Sequence, residues 1–273
     1  MPQLPILILG GTGKTGQRVD ALLNALGMTT RPVSRSTTPA FDWSDPQTWA
    51  SVFDGVSSAY VTFQPDLAVE GAAAAIAEVS RLARERNLER VVLLSGRGEP
   101  GAEAAEAALQ ASGNVWTIVR SSWFNQNFSE GFLLDAILAG EVALPAGTVA
   151  EPFLDIDDLS EVVAVALTDD RHANRIYEVT GPRLLTFADA VSAIAEAVAK
   201  PIAYRQISPS EFEERLRPHA PDVIVSLMTK LFTVGLDGRN ARVTFGIEEA
   251  LDRPPRDFSD YVRRTAASGV WGN

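Results

Sequence analysis

The chain has 273 residues, with 24 Lys and Arg against 35 Asp and Glu, a formal net charge of −11 and a pI of about 4.7. So acidic a surface argues against nucleic acid or an anionic membrane and for a small molecule as the expected partner. Cysteine is absent and the only histidines are His172 and His219, which removes disulfides and thiolate chemistry and leaves no basis for a metal centre or a serine–histidine triad.

Residues 4–9 form a near-continuous apolar run, the pattern of a strand covered on both faces. The run is too short for a secretory signal and has no basic residues ahead of it. No apolar run approaches the length of a membrane span, so a cytoplasmic protein is expected. Glycines follow, and then Val19, Leu22, Leu23 and Leu26 share one helical face, with Gly27 placed to close the helix. Residues 29–34 read as a second strand. Residues 59–63 are a later strand, and Ile76, Val79 and Ala83 face one side of the helix after it. Residues 91–94 and 115–119 are further strands, separated by an alanine-rich helix over 102–111. Repeated strand–helix alternation predicts an α/β fold with a Rossmann-type, doubly wound parallel sheet.

The texture then changes. Residues 158–167 read as a short amphipathic helix and 176–180 as a strand. Thr186 with Asp189 is a capping signal for a helix through Val198, and Ser208, Pro209 and Glu211 open another. Ile224, Leu227, Met228 and Leu231 form an i, i+3, i+4, i+7 stripe, and Pro254-Pro255 precede a last helix over 258–265. The expected organisation is a nucleotide-binding domain over 1–150, with sheet additions from 151–182, and a smaller, mainly helical substrate lobe over 183–273.

The strongest motif is Gly10-Gly11-Thr12-Gly13-Lys14-Thr15-Gly16, between the first strand and its helix. Glycines spaced this way make a tight turn, admit a pyrophosphate to backbone N–H groups and let helix and strand pack closely. A nucleotide-triphosphate loop needs four residues between its first glycine and Gly-Lys, and this turn lacks them. An NAD site places an acid roughly 20 residues on, at the end of the second strand. Here that strand ends in Ser34-Arg35-Ser36, a guanidinium flanked by hydroxyls, which suits the 2′-phosphate of NADPH.

Several motifs together resemble the NmrA-like atypical short-chain dehydrogenase/reductases. They are the glycine turn, Ser34-Arg35, Phe41-Asp42-Trp43, Ser95, the segment from Arg120 to Phe128 containing Trp123, Phe124 and Asn127, and Pro152-Phe153 with Asp155 and Asp158. Within that group the chain is most similar to ergot-alkaloid festuclavine/agroclavine dehydrogenase-type reductases, through Gly-Gly-Thr-Gly-Lys-Thr, Phe-Asp-Trp, Arg253-Pro-Pro-Arg and a late Trp271. The resemblance implies that Gly10, Thr12, Gly13, Lys14, Thr15 and Gly16 surround the pyrophosphate and that Ser34, Arg35 and Ser36 hold the 2′-phosphate. It implies that Asp42 and Trp43, past a third strand, flank the adenine. Thr62, Phe63 and Gln64 would follow a fourth strand, along the ribose and nicotinamide. Ser95 and Gly96 would end a fifth, where catalytic serines of the wider superfamily occur. Trp123, Phe124 and Asn127 would follow a sixth, beside the nicotinamide.

The superfamily's Tyr-x-x-x-Lys proton donor pair is absent. Carbonyl reduction needs hydride and a positioned acid, whereas an iminium needs hydride alone. The sequence therefore points to NADPH-dependent reduction of an apolar or polycyclic substrate with an iminium, C=N or conjugated system, walled by Phe63, Trp123, Phe124 and Phe153. Quinone or azo-dye reduction and non-catalytic NADP(H) sensing are the alternatives. Ser95 is the one hydroxyl placed to act as a weak donor.

Overall fold

A computed structural model describes residues 4–272. Ile6–Leu9 forms β1, and all four of its side chains are buried, as the unbroken apolar run requires. Helix α1 (Lys14–Ala25) returns the chain to β2 (Thr30–Val33). Gly27, at φ +78°, ends α1 as expected, but Leu26 is 61% exposed and the buried face is Thr15, Gly16, Val19 and Leu23. A short α2 (Trp49–Val52) precedes β3 (Ser58–Val61), then α3 (Ala72–Glu85), β4 (Arg90–Gly96), α4 (Pro100–Ala111) and β5 (Trp116–Ser121). The chain continues through α5 (Leu134–Leu138), β6 (Glu141–Leu144), β7 (Ala150–Glu151), α6 (Ile156–Thr168) and β8 (Arg175–Val179). The remaining elements are β9 (Leu185–Thr186), α7 (Phe187–Val198), β10 (Ala203–Gln206), α8 (Pro209–Leu216), α9 (Asp222–Thr233), α10 (Gly246–Leu251) and α11 (Phe258–Ala267).

Six strands form one parallel sheet in the order β2-β1-β3-β4-β5-β8. From β1 the chain steps outward to β2 and then returns to the other side of β1 as β3. The β1/β3 boundary is thus the switch point, where crossovers leave in opposite directions and ligands bind in open α/β sheets. No strand separates β2 from β3, so Phe41-Asp42-Trp43 lies in a loop and Thr62 follows the third strand, not the fourth. The loop's amides are satisfied locally: Phe41 N–H donates to Ser34 O at 2.9 Å and Asp42 N–H to Thr48 Oγ1 at 3.0 Å.

The chain divides into two units, and the division is not one cut in the sequence. The first comprises residues up to Ser121, Ile156–Val179 and Phe245–Pro254; the second comprises Ser122–Asp155, Thr180–Thr244 and the residues from Pro255 on. In the first, Arg253 donates to Asp158 at 2.7 Å and Glu161 at 2.6 Å, fastening the end of α10 to α6. In the second, residues after β5 pair with those before α6. Leu154 N–H donates to Trp123 O and Asn125 N–H to Leu154 O, each at 2.8 Å. An aromatic core holds this unit together, with Phe153 5.6 Å from Phe128, 5.0 Å from Phe187 and 5.8 Å from Phe258. Trp271 Nε1 donates to Phe128 O at 2.8 Å.

Helix α9 buries Val225, Thr229 and Phe232, while Ile224, Leu227, Met228 and Leu231 are half-buried. The inner face is thus one position from the apolar stripe read in the sequence. Thr229 sits inside because its hydroxyl donates to Val225 O at 2.9 Å. Phe232 sets the face by packing on Trp123, Phe187 and Phe212 at 5.1–5.6 Å.

Helix α7 begins in a complete capping box: Thr186 Oγ1 accepts from Asp189 N–H at 3.0 Å, and the Asp189 carboxylate accepts from Thr186 N–H at 2.9 Å. Thr186→Ala should lower stability by about 1 kcal/mol through loss of that cap, read as a shifted denaturation midpoint with an unchanged slope.

Candidate dinucleotide and acceptor site

The turn after β1 is held by β2: Gly10 and Gly11 N–H both donate to Val33 O, at 3.1 and 2.9 Å. Gly10 adopts φ +76°, and its carbonyl accepts Gly13 N–H at 2.9 Å. The glycines answer different needs. A Cβ on Gly16 would lie 2.3 Å from Gly10 O, and one on Gly11 2.4 Å from Pro32 Cβ. These two are glycine so that α1 can lie against the turn and the turn against β2. A Cβ on Gly13 would meet only Gly10 O at 3.2 Å and Gln64 Nε2 at 4.0 Å. Gly13 has ordinary extended backbone angles and no side-chain cap over the start of α1. With no side-chain cap there, the positive end of the helix and its first turn face this surface, a fit for a pyrophosphate. Thr12 is exposed and Lys14 half-buried at its rim, whereas Thr15 faces inward.

At the end of β2, Ser34 and Ser36 approach each other through their hydroxyls at 3.1 Å. Arg35 is exposed, and among the described residues its guanidinium forms no hydrogen bond or ion pair. Asp42 turns its carboxylate onto Ser44, accepting from the N–H at 2.9 Å and the hydroxyl at 2.7 Å. These donors hold its carboxyl below the usual carboxylate range, and the Arg35 charge adds in the same direction. Trp43 Nε1 donates to Thr62 O at 3.0 Å, and the indole leans on Phe63 at 4.7 Å. Thr62 in turn donates to Leu9 O at 3.0 Å, and its Oγ1 would lie 2.3 Å from a Cβ on Gly10. Thr62 therefore ties the two strands at the switch point together. Phe63 and Gln64 follow it, half-buried and exposed respectively.

Ser95 departs from expectation. It is buried, and its hydroxyl donates to Glu106 at 2.5 Å. Glu106 also takes Arg120 in a two-pronged pair at 2.5–3.1 Å, Arg120 reaches Glu178 at 3.5 Å, and Arg97 reaches Glu178 at 3.4 Å. The Ser95 hydroxyl is thus turned onto a carboxylate inside the domain, a buried donor with its bond satisfied. Gly96, next in β4, is half-buried.

Of the residues expected after β5, Trp123, Phe124 and Asn127 are half-buried in the second unit. Phe153 is 2% exposed within the aromatic core, which corrects its assignment as a wall of the acceptor site.

Two residues escaped the sequence reading. Asn125 is fully buried with neither side-chain oxygen nor nitrogen hydrogen-bonded, although only its neighbour Asn127 was singled out. Glu99, just past β4, sets its carboxyl against Gly96, with Oε2 2.3 Å from where a Cβ on Gly96 would stand. Burial pushes that carboxyl up to about 7, and the charge of Asp66 adds to the shift. An isolated glutamate in a loop carries no spacing signal.

No family model matches the chain. It is 27% identical over 286 residues to "Prestalk A differentiation protein A" of Dictyostelium discoideum, covering 96% of this chain and 93% of that protein. It is 27% identical to agroclavine dehydrogenase of Claviceps fusiformis, covering 95% and 96%. Its fold matches the triphenylmethane reductase of Citrobacter sp., solved as a complex with NADP(H), at a TM-score of 0.81 and 16% identity, over 96% and 99% of the two chains. Fold and relatives define the class, a Rossmann-type oxidoreductase. Within that class its sequence likeness is to the clavine dehydrogenases, to which its motifs pointed, and its fold likeness is to reductases such as that of Citrobacter sp..

The two kinds of glycine separate by experiment. Gly16→Ala should cost about 1–3 kcal/mol of stability, because its Cβ meets backbone. Gly13→Ala should leave the denaturation midpoint nearly unchanged while weakening NADPH binding at least tenfold by calorimetry.

Proposed function

We propose that the protein binds NADPH on its first unit and reduces a small, flat, apolar acceptor carrying a C=N or other conjugated system. One observation carries the reading: an open glycine face at the start of α1, with an unpaired arginine between two serines at the end of the neighbouring strand. Thr12, Gly13 and the first N–H groups of α1 would hold the pyrophosphate, and Arg35 with Ser34 and Ser36 the 2′-phosphate. Trp43 offers an indole near the adenine end, and Phe63 and Gln64 lie toward the ribose. When bound, the dinucleotide supplies a hydride. The chain's own part is to hold and orient. Gly10 and Thr62 fix the switch point, and Phe63 gives an apolar aromatic surface beside it.

A relative named for a role in differentiation rather than for a reaction favours a second reading, an NADP(H)-responsive protein without turnover. Tight NADPH binding without oxidation by any of a panel of imines, iminium ions, quinones and azo compounds would decide for it.

Arg35→Ala tests the cofactor directly. The variant should lose about 1.5–3 kcal/mol of NADPH affinity, the value of a charge-assisted phosphate contact, while its NADH affinity stays put. Equal losses for both dinucleotides in calorimetric titrations would refute the phosphate role.

A further inference from the structure

With Ser95 bonded to Glu106, a reductive step that takes up a proton needs another donor at the strand ends. Three observations converge on one carboxyl. Gly96 closes β4, two strands from β1 in the sheet and therefore about 10 Å from the glycine turn. Because Gly96 has no side chain, the Glu99 carboxyl occupies the space where a Cβ would be. Glu99 is half-buried at the N-cap position of α4, and its carbonyl accepts Glu103 N–H at 3.2 Å, yet its carboxyl neither caps that helix nor forms a hydrogen bond or ion pair among the described residues. Polar groups withdrawn from water in this way are ordinarily paired, and this one is left available.

We propose that the Glu99 carboxyl, seated on Gly96, is the proton donor of the reaction, and that the acceptor is an uncharged conjugated molecule whose oxygen or nitrogen takes up that proton. The proposal rests on the reductase reading above and names its substrate class. Hydride adds to one end of the conjugated system, and the π pair moves to the heteroatom at the other end. That atom takes the proton as the Glu99 O–H bond breaks. The acceptor gains two electrons and NADPH loses two. Glu99, left as a carboxylate, recovers its proton from water.

The surroundings keep the acid form available near neutrality. The charged group that acts on Glu99 is Asp66, on the loop after β3; Arg97 and Glu103 flank it in the sequence, two residues before and one helical turn after. Arg97 reaches over to Glu178, and Asp66 is the neighbour whose charge raises Glu99. Asp66 itself caps its own turn, accepting Ala68 N–H at 2.7 Å. With the carboxyl at about 7, the proton is present below that pH and is lost above it.

The test uses the full chain with Glu99→Gln, menadione as an uncharged quinone and an N-methyl-dihydroisoquinolinium salt as a permanent cation needing no proton. Wild-type kcat/KM with menadione should be flat below pH about 7 and fall tenfold per unit above it. Glu99→Gln should lose at least about a hundredfold with menadione and show a flat profile, but lose less than tenfold with the cation. Asp66→Asn should move the wild-type limb to lower pH. A readout without turnover accompanies these. The folded chain keeps on Glu99 a proton that the unfolded chain gives up at ordinary carboxylate pH, so this contribution to stability is full in acid and is lost as pH rises through 7. The Tm of Glu99→Gln should therefore match wild type near pH 4, exceed it increasingly as pH rises to about 7, and hold a constant excess above that. A pH-independent Tm difference, an unimpaired menadione rate, or equal losses with both acceptors would overturn the assignment. If wild type oxidised NADPH with neither acceptor, the reductase reading itself would fall, and the proposal with it.

Discussion

The carbonyl of Gly10 is the point on which the first unit turns. It accepts the N–H of Gly13, and it lies so near Gly16 that no side chain fits between them. That closeness lets α1 pack directly against the end of β1. The same contact aims the start of α1 across the switch point, where the chain has gone to β2 on one side and β3 on the other. Thr62 completes the arrangement by bonding to Leu9 from the end of β3. The proposed pyrophosphate site follows from this packing, because a helix brought in so close presents its uncapped N-terminus at the sheet's edge.

Farther along the sheet edge, chemistry and architecture trade places. Ser95, at a position associated with catalysis in the wider superfamily, is tied into a chain of Glu106, Arg120, Glu178 and Arg97 that joins α4, β5 and β8. Burying Glu106 requires this degree of compensation, since an uncompensated carboxylate inside the sheet would cost several kcal/mol. Glu99 is the converse case, a carboxyl partly withdrawn from water with no hydrogen bond or ion pair among the described residues. Its environment favours the neutral acid, and a neutral acid beside a strand end is a proton donor. The two glutamates lie on the same short stretch of chain and differ only in what surrounds them.

The second unit draws on separated stretches of sequence because its core is aromatic and needs many rings. Phe128 and Phe153 come from the segment after β5, Phe187 and Phe232 from the middle of the lobe, and Phe258 and Trp271 from the end of the chain. Short backbone pairings between Trp123, Asn125 and Leu154 keep the 122–155 segment with that core. This explains why a single boundary drawn along the sequence does not describe the units.

The sequence by itself determined the elements whose signals are local. Unbroken apolar runs specify β1, β3 and β4, the glycine spacing specifies the turn, and the Thr186–Asp189 and Ser208–Glu211 caps specify two helix starts. Arg35 could be singled out from the sequence because strand, turn and hydroxyl neighbours sit within a few residues of one another. Tertiary structure decided whatever depended on partners distant in the chain. Periodicity gives the direction of an apolar face only to within a position, so the rings around Phe232 chose the buried side of α9. Phe153 reads as a possible ligand wall until three other rings enclose it. Ser95 looks available until Glu106, eleven residues on, is brought back by α4 to accept the hydrogen bond from its hydroxyl. Glu99 has no pattern at all in the sequence. Its character comes from a missing side chain at Gly96, a charge at Asp66 and the loss of water, and these exist only once the chain is folded.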